Sequence, residues 1–252
     1  MSDSENYTNK KAHFDQMLTI YGRNPVLEAI SDPDLKPQKL HLSRKNRSAD
    51  VLDEIKGWAT KRDIEIREHD PASLSRISKN SKQDQGVALD VTCPSHKQFA
   101  DFLKDLPDQF RLIALDGITN PQNLGMIIRS VAASPSDGLL IGRNNSPKIS
   151  PLVIKASAGT VFRAPLIQAE NLTEALEQLS QRGTNLCVLD SQGDLDFESA
   201  SSLKQVVYVL GNETEGVSAD TTNLASHRLR IPMNRGVESL NVAVTAALVA
   251  FG

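Results

Sequence analysis

Four segments in the second half of this chain are almost continuously apolar: RLIALD (111–116), GLLIG (138–142), NLCVLD (185–190) and QVVYVL (205–210). A strand with one wet face alternates apolar and polar residues. These segments do not, so both faces must be covered, as in a parallel sheet flanked by helices. Helical patterns stand between them: LGMIIRSVAAS (124–134), LVIKASAGT (152–160) and LTEALEQLSQRG (172–183), the last stopped by Gly183. HRLRIPM (227–233) reads as a further strand, and an apolar helix follows Leu240. The alternation specifies an α/β fold around a mostly parallel sheet. In such sheets ligands sit beyond the carboxyl ends of the strands, so the loops there are where function is sought.

The first half carries a weaker version of the same grammar. YGRNPVLEAI suggests a helix with Val26, Leu27 and Ile30 on one face. KLHLS, DIEIRE and QGVALDVT read as strands, and Asp50 to Lys61 as a helix. A compact α/β unit of about a hundred residues follows. The expected division is a polar leader at 1–16, a small domain at 17–94, a linker at 95–110 and a larger domain at 111–252. The polar leader has no apolar signal core, and no apolar run approaches the roughly 20 residues of a membrane span. A cytoplasmic protein without a membrane partner is expected.

The net charge of −3 argues against a general polyanion binder, but it conceals local patches. KPQKLHLSRKNR (36–47) holds Lys36, Lys39, Arg44, Lys45 and Arg47 with no acid among them, and Arg76, Lys79 and Lys82 form a second cluster. One such cluster is ordinarily a solvated face; two in the same half raise the case for nucleic acid. Cys93 and Cys187 are isolated and suit buried apolar packing. There is no metal-ligand spacing, no dinucleotide fingerprint and no phosphate-cradling loop, and no histidine lies in the loops described next.

Three loops are chemically unusual. GITNPQN (117–123) leads into a helix in which Asn123 is a candidate N-cap and Gly125 allows close backbone approach. Arg129, six residues after Asn123, sits among apolar neighbours; it is either a snorkelling side chain or a cleft residue. After QVVYVL, Gly211 and Gly216 bracket Glu213 and Glu215, as a tight turn or as a ligand loop. The approach to the last helix, IPMNRGVESLN (231–241), places Ser239 where an N-cap belongs and Asn241 at the helix start.

In this order, NPQNLGMIIR, LGNETEG and IPMNRGVESLNV resemble the three motifs of the SpoU family of RNA ribose 2'-O-methyltransferases, in the SPOUT superfamily, and KASAGTVFRAP resembles the segment between the first two. The likeness covers roughly residues 112 to 251. More weakly, YGRNPVLEAI and QGVALDV are similar to the small RNA-binding domain that precedes it in some members. The resemblance implies a C-terminal trefoil knot, S-adenosylmethionine as cofactor without a metal, and an obligate homodimer. It implies Asn123, Arg129, Glu213, Ser239 and Asn241 as catalytic residues. Ser191, Gly193, Leu210, Gly211, Ile231, Met233 and Leu240 would hold the cofactor. Arg23, Lys39, Arg44, Lys45 and Arg47 are the expected contacts to structured RNA. A guanosine in large-subunit ribosomal RNA is the leading expectation. Transfer RNA, and a non-catalytic RNA-binding or assembly role, are the alternatives.

Overall fold

The structure, a computed structural model, describes residues 17–93, 95–144, 146–200 and 202–252. The proposed leader at 1–16 lies outside them. The chain divides into two compact units, residues 1–94 with 149–155 and residues 95–148 with 156–252.

In the first unit the chain runs β1 (Met17–Tyr21), α1 (Arg23–Ser31), β2 (Lys36–Ser43), α2 (Asp50–Lys61), β3 (Glu65–His69), α3 (Pro71–Ser78) and β4 (Val87–Thr92). The strands form a sheet in the order β1-β4-β2-β3, antiparallel at its first two pairings and parallel at the last. Val26 and Ile30 of α1 are buried as its periodicity demands. The end of α1 is tied down from a distance: Arg62 donates to the carbonyls of Ile30, Asp32 and Leu35 at 2.6–3.0 Å. α3 is a helix the sequence reading missed. Asp70 accepts from the Ser73 N–H, and Pro71 occupies the first turn, where its missing N–H costs nothing.

The second unit runs β5 (Lys97–Gln98), α4 (Phe99–Lys104), β6 (Phe110–Leu115), α5 (Pro121–Ala133), β7 (Gly138–Gly142), α6 (Pro151–Ala156, most of which groups with the first unit), β8 (Leu166–Ala169), α7 (Leu172–Ser180), β9 (Asn185–Leu189), β10 (Leu195–Asp196), β11 (Gln205–Leu210), α8 (Ala219–Asn223), β12 (His227–Arg230) and α9 (Val242–Phe251). Its sheet has the order β10-β12-β9-β11-β6-β7-β8-β5, and every pairing in it is parallel. β6, β7, β9 and β11 are the four apolar runs, at or next to the centre. Leu112, Ile113, Ala114, Val207 and Val209 are fully covered. Each large apolar side chain removed from water in this way contributes roughly 1.5–3 kcal/mol.

The stretch 95–110, expected as a linker, belongs instead to this unit. β5 pairs with β8, and Phe99 and Phe102 of α4 enter the main apolar core, where Phe102 meets Phe110 edge-on at 5.5 Å. Two aromatic rings of this size are better buried than left on a tether.

Candidate active site

The loop after β6 begins with the buried Asp116 and turns at Gly117, whose φ is +73°. Asn120, not Asn123, caps α5. Its side-chain oxygen accepts from the Gln122 N–H at 2.8 Å, with Pro121 in the first helical position. Asn123 therefore sits one turn into the helix, 6% exposed. Its amide, freed from capping, donates to the Glu213 carboxylate and accepts from Asn241 at 3.3 Å. Residues 118 positions apart in sequence thus form one relay, Asn241 to Asn123 to Glu213.

The turn after β11 explains why two glycines bracket two acids. Asn212 and Gly216 exchange both backbone hydrogen bonds at 2.9 Å. Asn212 accepts from the N–H groups of Thr214 and Glu215, an Asx turn closing the loop on itself. A side chain at Gly211 would put Cβ only 2.1 Å from the Gly216 carbonyl carbon. The turn is stapled to the first loop, since Asn212 donates to the Gly117 carbonyl and the Ser218 N–H donates to Asp116. Glu213 is held at the strand tips by this scaffold.

The third loop leaves β12 at Ile231. Arg235 and Gly236 both take positive φ, 57° and 73°, and the Val237 N–H reaches the Asn234 carbonyl at 3.2 Å, a reverse turn. Asn241 is the cap of α9, accepting from the Ala243 N–H at 2.9 Å. Ser239, expected as the cap, is exposed and lines the cleft instead. Asn241 does two things at once: its oxygen starts α9 and its NH2 group binds Asn123.

The loops after β9, β11 and β12 enclose a cleft of about 790 Å³ over the tips of those strands. Ser191, Leu210, Gly211, Ile231, Met233 and Leu240 are in its wall, as are Glu213 and Ser239. Gly193 is not among them. A Cβ there would lie 2.6 Å from the Leu229 backbone, so its role is to let the loop after β9 pack on β12. That loop is braced by Asp190, which accepts from Arg228 and from the Gln192 N–H; these bonds hold its carboxyl below the usual carboxylate range. Arg129 is also outside the cleft wall. Six residues on a helix turn its direction about 120° from that of Asn123, and it is exposed. Four of the five expected catalytic residues converge within this chain, and Arg129 does not.

Asn212 and Asp116 were not singled out from the sequence, although a polar residue ending an apolar run was a usable signal. Both cysteines are buried, which pushes their thiols up to about 12 and leaves neither a thiolate near neutral pH. Among the described residues no group of three or more His, Cys, Asp or Glu is placed to hold a metal ion, and no helix is long and apolar enough to cross a membrane. In the first unit the tip of β2 carries Arg44, Lys45 and Arg47, all exposed. Asn46 beside them donates to the Gly86 carbonyl, and the Arg23 N–H binds the Gln85 side chain, which brings Arg23 to the same end. Lys39 lies farther down β2 and is paired with Glu65 at 3.2 Å.

These features define an α/β protein that seats a ligand over the tips of its central parallel strands. The sequence pattern of the SpoU rRNA Methylase family matches residues 110–251, and that of RNA 2'-O ribose methyltransferase substrate binding matches residues 19–96. A protein of Mycobacterium ulcerans named "Uncharacterized tRNA/rRNA methyltransferase" is 33% identical over 238 residues, 93% of this chain and 76% of that protein. Two solved structures share the fold. They are the SpoU methyltransferase AviRb of Streptomyces viridochromogenes in complex with AdoMet (TM-score 0.63, 22% identity, 94% of this chain and 88% of that one) and an AdoMet-bound rRNA methyltransferase of Sinorhizobium meliloti (0.61, 20%, 98% and 88%). The chain belongs to the SpoU family and is an RNA methyltransferase.

Proposed function

We propose that this enzyme methylates the ribose 2'-hydroxyl of a guanosine in large-subunit ribosomal RNA. The observation that carries the reading is the Asn241–Asn123–Glu213 relay at the edge of the cleft. The methyl donor is S-adenosylmethionine. The cleft suits it: Leu210, Ile231, Met233 and Leu240 offer apolar surface for a flat base, Ser191 and Asp190 offer polar groups, and Glu213 favours a nearby positive charge. Bound there, the cofactor supplies an electrophilic methyl group, so the chain's own task is positioning and proton handling.

Asn123, fixed on both sides, orients the attacking hydroxyl; Glu213 and Ser239 polarise the approach. Arg129 clamps an RNA phosphate, because a guanidinium keeps its proton and does not serve as a base. The first unit grips folded RNA through Arg23, Arg44, Lys45 and Arg47. Lys39, neutralised by Glu65, contributes least.

A homodimer belongs to the same reading. Val244, Leu248 and Phe251 are 49%, 42% and 58% exposed at i, i+4 and i+7 of α9, an apolar stripe of the kind that pairs with another copy. Trefoil threading is proposed as well. It is supported by the course of the tail, which leaves β12 near one edge of the sheet, passes the loops after β9 and β11 that share its cleft, and packs α9 on α5. The test is to map 2'-O-methyl groups in ribosomal and transfer RNA with and without the enzyme. A new 2'-O-methylguanosine in the large-subunit RNA is expected. Methylation confined to transfer RNA would move the substrate, and methyl groups on bases would end the proposal.

A further inference from the structure

A second recess lies on the other side of the 211–216 turn. It measures about 520 Å³ and shares Asn212 and Gly216 with the cofactor cleft. Its remaining wall comes from the loops after β6 and β7 and the end of the turn: Asp116, Thr119, Asn144, Ser146 and Glu215 among them. It is fixed rather than loose, because Asn212 and Ser218 bind the first loop at 2.8 and 2.9 Å. Among the described residues the Ser146 hydroxyl in this wall is buried without a hydrogen-bond partner. In native folds such a group is ordinarily met by water or by a bound guest.

We propose that this recess receives the base of the target nucleotide, turned out of the RNA stack, and that Glu215 selects guanine. The proposal rests on the methyl-transfer reading and names the base at that same site. A ribose presented to the Asn123–Glu213 relay carries its base a few ångströms away, and the recess is the cavity bordering Glu213's own turn. Enzymes that read or alter a base turned out of its stack hold it in such a pocket. The wall's chemistry is dominated by acceptors: two carboxylates, Asp116 and Glu215, of which Asp116 already accepts from Ser218. Glu215 is exposed and faces the recess from the turn. Among the four bases only guanine presents two adjacent donors, N1–H and the N2 amino group, to a single carboxylate. Asn144 and the Ser146 hydroxyl supply the donors that its O6 accepts. Uracil would set two acceptors against the same carboxylates.

The test uses the full chain, S-adenosylmethionine and RNA fragments carrying either guanosine or inosine at the methylated position. Inosine lacks only the N2 amino group. The wild-type enzyme should prefer guanosine by about 10- to 100-fold in kcat/KM, the range of a bidentate base contact. Glu215→Gln should collapse that preference toward unity. Calorimetry should find its cofactor affinity unchanged, which separates base reading from misfolding. Asn144→Ala gives an independent arm and should lower kcat/KM for both RNAs alike, since both bases keep O6. An equal guanosine preference in wild type and Glu215→Gln overturns the proposal while leaving methyl transfer intact. So does a 2'-O-methylated nucleoside whose base is not guanine. If the wild-type enzyme transfers no methyl group to any ribose, the functional reading fails first, and this inference falls with it.

Discussion

Asn120 and Asn123 stand three residues apart in one loop and have opposite fates. The first caps a helix; the second is buried in a relay. Sequence reading gave the cap to Asn123, yet Pro121 held the correct answer, because proline favours the position directly after a cap. That Glu213 and Asn241 would meet Asn123 was legible only through the family motifs; no local rule joins residues 118 apart. Replacing Asn123 by Ala removes both contacts and leaves Glu213 and Asn241 with unmet groups. Methyl transfer should fall at least ~100-fold, the cost of misplacing a reactant by about an ångström. Cofactor affinity measured by calorimetry should change little. Arg129→Ala should also abolish transfer while keeping cofactor binding, because its side chain is outside the cleft wall. Loss of cofactor binding in either variant would contradict these roles.

At the scale of elements, the long apolar strands were plain in the sequence and most of the shortest were not. β5, β8 and β10 are two to four residues long, and their existence depends on a neighbouring strand rather than on their own pattern. The small sheet also hides a polar thread across all four of its strands. Thr19 donates to Asp90 at 2.6 Å, Asp90 pairs with His41 at 3.0 Å, and the other His41 nitrogen meets His69 at 3.0 Å. Burial, then the neighbouring His41, holds His69 below its ordinary value. Burial acts to raise Asp90, but the bonds from His41 and Thr19 outweigh it and the carboxyl stays low. Both groups are depressed in the folded state, so both favour folding at higher pH. The His69 contribution is complete above about pH 6.5 and declines below it; that of Asp90 is complete above about pH 4 and is lost in stronger acid. Thermal melting of the first unit should therefore drop between pH 7 and pH 5, and His69→Gln should flatten that step. His41→Ala should cost about 2–3 kcal/mol at pH 7, since it leaves the Asp90 carboxylate buried with one partner fewer.

For the whole molecule, a net charge of −3 says little, because three exposed basic residues of the first unit, Arg44, Lys45 and Arg47, gather at the tip of β2. Changing Arg44, Lys45 and Arg47 to Gln should weaken RNA binding and make its salt dependence shallower by up to about two to three in the logarithmic slope. Cofactor affinity should be untouched. A flat RNA isotherm change, with the slope unaltered, would remove these residues from the interface. Assembly is tested on α9. Leu248→Glu puts a charge in the middle of the apolar stripe; sedimentation should find the wild-type enzyme as a pair and this variant as single chains.

The parallel sheet has one more effect, and it concerns time. All its strand tips point the same way, so the relay gathers one side chain from each of three stretches made far apart during translation. A growing chain already carries the basic tip of β2, and later Asn123 and Glu213, well before Asn241 arrives to begin α9. Contacts of such long range close slowly. Until they do, on the roles proposed for these residues, the ribosome-tethered polypeptide has its means of gripping RNA ahead of its means of altering it.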